Sequence, residues 1–415
     1  MSPLKTSFPK DKMKIVLLEN ISQSAVDSFK KGGYTQIEQY TGALSGEELD
    51  DVLKEAKVVC VRSKTQLSQE VITKAKKLVA IGCFCIGTNQ VDLEAANKAG
   101  VCVFNAPFSN TRSVAELVIA SAIMLIRKIP DKNRAAHAGE WDKDSTNAHE
   151  IRGKRLGIVG YGHIGSQVSI LAEAMGLRVF YYDVENKLPL GNAEEISDLK
   201  SLIEHCDIIT LHVPGTKQTQ NLFDEQVLDW FQKGQLLVNM SRGDVVDISA
   251  LKEALKEKRI SGAAVDVFPK EPKNKDEKFI SPLQNISNVI LTPHIGGSTE
   301  EAQWNIGLDV SSKLIKYIES GASLGSHSIP ELSLPKMEDT HRILHIHKNV
   351  SGVLSEINSK ISKLDVNILG QYLSTNLEVG YVVLDIAKND SLDTLKEFKR
   401  IDHTIKGLSI HLKRV

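Results

Sequence analysis

The sequence predicts an α/β fold in three parts: two doubly wound parallel-sheet domains, the first split around the second, and a C-terminal βαββαβ ferredoxin-like unit. Three observations carry that prediction. Short apolar strands alternate with helical periods in two series, a glycine-rich turn follows the first strand of the second series, and beyond residue 337 the order changes to paired strands. The length of 415 residues agrees, at roughly 150 residues per domain, with two to three domains.

The elements follow in chain order. The first dozen residues have no apolar core of a secretory signal and read as a loose arm. Apolar runs at 14–18, 57–62, 78–82 and 101–104 read as buried strands. Ser45 followed by Glu48 has the form of a capping box, and Asp92 is placed to cap a helix ending near Gly100. A long apolar helix from Thr111 to Arg127 then interrupts the alternation and marks a domain crossing. The second series has six strands, near 155–159, 178–182, 207–212, 235–239, 261–266 and 288–292, the number of a complete dinucleotide fold. A helix at 299–320 is expected to pack back on the first domain. Residues 321–337, rich in Ser, Gly and Pro, read as a linker. Beyond them come strand 342–347, helix 352–363, strands 366–374 and 378–386, helix 391–399 and strand 404–412. The expected domains are 1–109 with 297–337, 110–296, and 338–415.

Fifty-one basic against 52 acidic side chains leave a formal charge of −1, which argues against nucleic acid or an anionic membrane as a whole-chain partner. No apolar run is long enough to span a bilayer. The five cysteines, Cys60, Cys83, Cys85, Cys102 and Cys206, are dispersed in apolar segments and fit buried thiols of a reducing, cytoplasmic compartment. No cysteine or histidine cluster has the spacing of a metal site, so no metal is expected.

Gly160-Tyr161-Gly162-His163-Ile164-Gly165 follows an apolar strand and opens a helix, and the next strand ends at Asp183. Gly160, Gly162 and Gly165 allow a tight turn and close approach of a pyrophosphate, whose charge the helix amides around His163 and Ile164 would meet. Asp183 would accept hydrogen bonds from a ribose diol and repel a 2′-phosphate, so the expected cofactor is NAD. Three further candidates stand past successive strand ends: Ser241-Arg242-Gly243, Glu271, and Thr292-Pro293-His294. An arginine fork can hold a carboxylate, a histidine can exchange a hydroxyl proton, and a carboxylate on the far ring nitrogen would orient that histidine. Together they suit hydride transfer on a 2-hydroxy acid.

Long runs carry a resemblance: Ala80 to Asp92, Phe104 to Glu116, the glycine-rich turn, Ser241-Arg242-Gly243, Asp266-Val267-Phe268-Pro269 with Glu271, and His294 to Ser298. Over nearly its whole length the chain resembles the D-2-hydroxyacid dehydrogenase family, within it the short members that oxidise 3-phospho-D-glycerate to 3-phosphohydroxypyruvate. The resemblance implies two Rossmann-like domains and an amino-acid-binding ACT domain. It implies Arg242, Glu271 and His294 as catalytic residues, and Met240, Ser241, Arg242, Asp266, His294, Ile295, Gly296 and Gly297 beside the nicotinamide half of NAD. Arg62, Ser63, Lys64 and Asn110 are implied in phosphate binding, although Lys64 and Thr41 stand where the family pattern carries an arginine and a lysine. His347, Asn349 and Asn367 are implied to hold L-serine as a feedback effector, and the assembly is implied to be a homotetramer. Val350-Ser351 and Glu338-Asp339 depart from an Arg-Pro pair and a Gly-Gly hinge, which implies weak coupling. Reduction of 2-oxoglutarate is an implied side activity. The alternatives are a dehydrogenase for another 2-hydroxy acid and a non-catalytic NAD-sensing protein.

Overall fold

The computed structural model describes residues 9–272, 277–337, 340–387 and 391–412. Strands β1 (Ile15–Leu17), β2 (Ile37–Gln39), β3 (Val58–Val61), β4 (Ala80–Cys83) and β5 (Cys102–Asn105) form a parallel sheet in the order β2-β1-β3-β4-β5. The intervening helices are α1 (Gln23–Lys31), α2 (Gly46–Leu53), α3 (Gln69–Lys74) and α4 (Leu93–Lys98). Two readings of this region change. β2 was not expected, because its three residues include a single apolar side chain on an edge. Ser45 precedes α2 but its hydroxyl makes no cap bond, whereas Asp92 caps α4 through the Ala95 amide at 2.9 Å. Of the expected loose arm, Lys10–Lys12 form a turn of 3-10 helix.

Helices α5 (Thr111–Ile126) and α6 (Ile129–His137) precede a second parallel sheet. Its elements are β6 (Arg155–Val159), α7 (His163–Ala174), β7 (Arg178–Tyr182), β8 (Glu194–Glu195), α8 (Leu199–His205), β9 (Ile208–Leu211), α9 (Glu225–Leu228), β10 (Gln235–Asn239), α10 (Ile248–Lys256), β11 (Ile260–Val265) and β12 (Val289–Leu291). The order is β12-β11-β10-β9-β6-β7-β8, the dinucleotide-binding arrangement, with seven strands where six were expected. β8 was missed because two exposed glutamates carry no apolar signal. Asp198, Asp224 and Asp247 each cap the helix that follows them.

Helix α11 (Glu300–Ser320) leads to the last sheet: β13 (Thr340–Lys348), α12 (Val353–Lys363), β14 (Ile368–Thr375), β15 (Val379–Ile386), α13 (Ser391–Phe398) and β16 (Thr404–Leu412). The four strands are antiparallel in the order β14-β15-β13-β16, as a split βαβ unit requires. Glu338 and Asp339 lie outside the described residues. No described helix is long and apolar enough to cross a membrane.

The chain divides into two compact units, one of residues up to Ser109 together with Gln303 onward, the other Asn110–Ala302. Residues 297–302, expected with the first domain, therefore belong to the second unit. The expected third domain keeps its own topology but is not a separate compact unit, because it shares a core with the first sheet. Alternation along the strands explains why. Ile15, Leu17, Val58 and Phe104 face a cluster that includes Val310, Leu314 and Tyr317 of α11 and Leu344, Ile346, Tyr381 and Val383 of the last sheet. Ile343, Val382 and Leu384 face the other way, onto Ile357, Ile361 and Phe398.

Arg342 secures this junction. It is 1 % exposed and donates to both carboxylate oxygens of Asp385, at 2.7 and 2.8 Å, and to the carbonyls of Ser320 and Pro335 at 2.9 and 3.2 Å. Removing one partner of such a pair leaves a buried charge uncompensated. Asp385→Ala is expected to destabilise the first unit by about 3–5 kcal/mol; denaturant unfolding measures it, and a loss below about 1 kcal/mol would show that Arg342 is adequately held by carbonyls alone.

Candidate active site

The glycine-rich turn lies between β6 and α7. Gly160 has φ +92°, and a Cβ there would stand 2.6 Å from the His212 carbonyl oxygen; one on Gly165 would stand 2.2 Å from the Gly160 carbonyl oxygen. These two positions exclude side chains for internal reasons. Gly162 is different, since a Cβ there would meet nothing within 4 Å. The space beside it is open, and Gly162 is itself the N-cap of α7, with no side chain to lie over the start of the helix. That combination suits a diphosphate, which a side chain at Gly162 would hold off. His163 and Ile164 are the first residues of α7. Asp183, one residue past β7, accepts from the Tyr161 amide at 2.7 Å and the Glu185 amide at 2.9 Å. The carboxylate expected to meet a ribose thus fixes the turn, a role the sequence did not disclose.

Arg242, Glu271 and His294 follow β10, β11 and β12 in turn, at the carboxyl ends where ligands sit in doubly wound sheets. His294 Nδ1 lies 3.0 and 2.9 Å from the two oxygens of Glu271, whose Oε1 also accepts from the Phe268 amide at 3.1 Å. The hydrogen bond to Glu271 raises the His294 pKa, helped by the charges of Glu271 and Asp266 and opposed by burial and by Arg242. For Glu271, burial pushes upward, but the bonds from His294 and Phe268 and the nearby charges outweigh it and lower the pKa. With Nδ1 committed to the carboxylate, Nε2 is the nitrogen left to exchange a proton with a ligand.

Backbone architecture holds the trio. His294 is left-handed, with φ +54°, and its amide donates to the Asp266 carbonyl at 2.8 Å. The Asp266 side chain is 1 % exposed and accepts from Thr292 Oγ1 at 2.5 Å and from the Ile295 and Gly296 amides at 2.9 and 2.8 Å. Gly297 abuts Asn110, at the start of α5, so closely that a Cβ on it would stand 2.0 Å from Asn110 Nδ2. Met240 and Ser241 are buried and Arg242 is exposed. Asn239, fully buried, accepts from the Ser241 amide and hydroxyl and donates to the Arg242 carbonyl. Asn239 was missed; its only signal is a polar residue at the end of an apolar strand.

Arg62, Ser63 and Lys64 belong to the first unit. They lie in a turn past β3, with Arg62 half-buried and the other two exposed. Their backbone converges on Glu19, another residue without a sequence signal: Oε1 accepts from the Arg62 and Thr65 amides at 3.2 and 2.8 Å, and Oε2 from Lys64 at 3.0 Å. Burial pushes the neighbouring Cys83 and Cys85 thiols up, away from the reactive thiolate. In the last sheet His347 is 2 % exposed with no partner for Nδ1 among the described residues, and Asn349 donates to the Asn376 carbonyl at 2.7 Å, whereas Asn367 is exposed before β14, at the opposite end of the sheet from His347.

Residues 119–296 match the family model for the NAD binding domain of D-isomer specific 2-hydroxyacid dehydrogenases, and residues 343–406 match an ACT domain like that of the AHAS small subunit. The chain is 51 % identical to a D-3-phosphoglycerate dehydrogenase of Haemophilus influenzae over 97 % of this chain and 98 % of that one. It is 50 % identical to the enzyme of that name from Escherichia coli K12, with the same coverage. Among solved structures it resembles a D-lactate dehydrogenase of Aquifex aeolicus complexed with NAD and lactic acid, at TM-score 0.62 and 27 % identity over 74 % of this chain and 95 % of that one.

The Glu271 bond gives a direct prediction. Glu271→Gln removes the charge that favours the imidazolium, so the His294 pKa should fall. His294 then becomes neutral at a lower pH, and titration of its ring resonances should shift downward; an unchanged midpoint would mean that the pair does not set the proton affinity.

Proposed function

The chain belongs to the D-3-phosphoglycerate dehydrogenase family of NAD-dependent D-2-hydroxyacid dehydrogenases, and on that premise we propose that it oxidises 3-phospho-D-glycerate to 3-phosphohydroxypyruvate, the entry step of phosphorylated L-serine synthesis. The observation that carries the reading is the Glu271-held imidazole of His294, set with Arg242 past consecutive strand ends of the dinucleotide sheet. Bound NAD supplies the hydride acceptor. His294 Nε2 takes the hydroxyl proton, and Glu271 stabilises the imidazolium so formed. Arg242 holds the substrate carboxylate through its planar fork. Asp183 takes the ribose hydroxyls, and Met240, Ser241, Asp266 and the Ile295 to Gly297 turn take the nicotinamide half. Arg62, Ser63, Lys64 and Asn110 hold the phosphate.

Oxidation needs neutral His294 and reduction needs its protonated form, so the oxidative rate rises and the reductive rate falls as pH passes upward through its raised pKa. The same residues serve reduction of 2-oxo acids, 2-oxoglutarate included. Lys64 offers a point charge where an arginine would offer a fork, which makes phosphate discrimination the part to test first. NADH consumption with 3-phosphohydroxypyruvate is expected to exceed that with unphosphorylated hydroxypyruvate at equal, low concentrations. Equal rates would overturn the phosphorylated substrate in favour of another 2-hydroxy acid.

We also propose L-serine as the effector, held by His347, Asn349 and Asn367. The unpartnered Nδ1 of His347 and the exposed Asn349 of the β13–α12 turn support this; Asn367, before β14, lies at the opposite end of the sheet from His347, so serine would be held between two paired subunits, with Asn367 coming from the second. A homotetramer is proposed with it, built on α5 with the Trp141 region and on paired C-terminal sheets; Trp141 is 83 % exposed, and Leu369 and Leu373 are exposed on the edge strand β14. Millimolar L-serine is expected to slow the enzyme with a coupling near the low end of about 1–3 kcal/mol, and Asn349→Ala to abolish the effect. An initial rate untouched by serine would refute feedback.

A further inference from the structure

Glu19 is a buried acid, 7 % exposed and two residues past β1. Its backbone is left-handed, φ +63°, and so is that of Asn20, φ +53°. Two amides hold that unusual turn, Glu19 donating to the Gly42 carbonyl and Asn20 to the Tyr40 carbonyl, each at 3.0 Å. The result is a carboxylate aimed at the end of β3, where it collects the amides of Arg62, Lys64 and Thr65. From the opposite side, Gln90 Nε2 donates to the Arg62 carbonyl at 2.6 Å. The turn carrying Arg62, Ser63 and Lys64 is therefore clamped through its backbone, leaving its side chains to face a ligand.

We infer that Glu19 is a positioning residue that sets substrate specificity: by fixing this turn it presents Arg62, Ser63 and Lys64 to the phosphate group. The inference rests on the assignment of that turn to phosphate binding. A carboxylate is required because three donors converge on two oxygens, and a glutamine would offer one acceptor oxygen and point its own N–H groups at the rest. Charge-assisted bonds of this kind are also about twice as strong as neutral ones. A strand end that shifts would misplace two cations at once, and a ligand without a phosphate would not register the change.

The test compares KM and kcat for 3-phosphohydroxypyruvate, hydroxypyruvate and NADH in the full-length enzyme, Glu19→Gln and Arg62→Ala. Glu19→Gln is expected to raise KM for the phosphorylated substrate about 10-fold, with kcat and the other two KM values within about 2-fold. A variant that loses activity equally toward both substrates, or toward neither, overturns the inference and leaves Glu19 a structural residue. Arg62→Ala separates the two levels of argument. If it abolishes the preference for the phosphorylated substrate while Glu19→Gln does not, only the role of Glu19 falls. If Arg62→Ala leaves the preference intact, the phosphate assignment itself falls, and this inference with it. Should Glu19→Gln not fold, Glu19→Asp, which keeps the charge and withdraws it by one methylene, carries the same comparison.

Discussion

The buried carboxylate of Asp266 is the interaction on which the candidate active site depends. It stands just past β11, away from solvent, and its oxygens collect one hydroxyl and two amides from the segment after β12. A charge in that position is tolerable only when its lone pairs are taken, and the donors come from the turn that carries His294. His294 is thereby held in a left-handed conformation that is uncommon for residues other than glycine. Glu271 then orients the ring, so backbone geometry is set by one acid and proton affinity by another.

The same device recurs across the chain. Asp183 fixes the glycine-rich turn through the Tyr161 amide, Asn239 fixes the Ser241-Arg242 turn, and Glu19 fixes the turn of Arg62 and Lys64. In each case a short loop beyond a strand, unable to satisfy its own amides by sheet pairing, is organised by one acceptor side chain. Parallel sheets end in such loops, and the loops can be shaped for chemistry because the strands beneath them are rigid.

The C-terminal sheet shows how an ACT fold becomes part of its neighbour. Strand alternation gives it two apolar faces, one taken by its own helices and the other by α11 and the first sheet. The Arg342 and Asp385 pair lies at that second face and also binds the C-terminal end of α11 through the Ser320 carbonyl. Replacing so enclosed a pair with well-packed apolar residues is often neutral, whereas removing one partner leaves a buried charge uncompensated.

The sequence by itself determined the order and type of nearly all the elements, since apolar periodicity and glycine spacing are local properties. It also marked the glycine-rich turn, Asp183, Arg242, Glu271 and His294, because each sits at a fixed offset from a recognisable strand. Edge strands β2 and β8 escaped it, having no buried face to impose alternation. So did Glu19, Asn239 and the second role of Asp183. The partners of Glu19 and Asp183 lie 43 and 22 residues away, and whether an acid is a solvated charge or the organiser of a loop depends on what folding brings to its oxygens. Tertiary structure alone decided that the last sheet shares a core with the first, because an apolar strand face records the need for a partner and not which partner meets it.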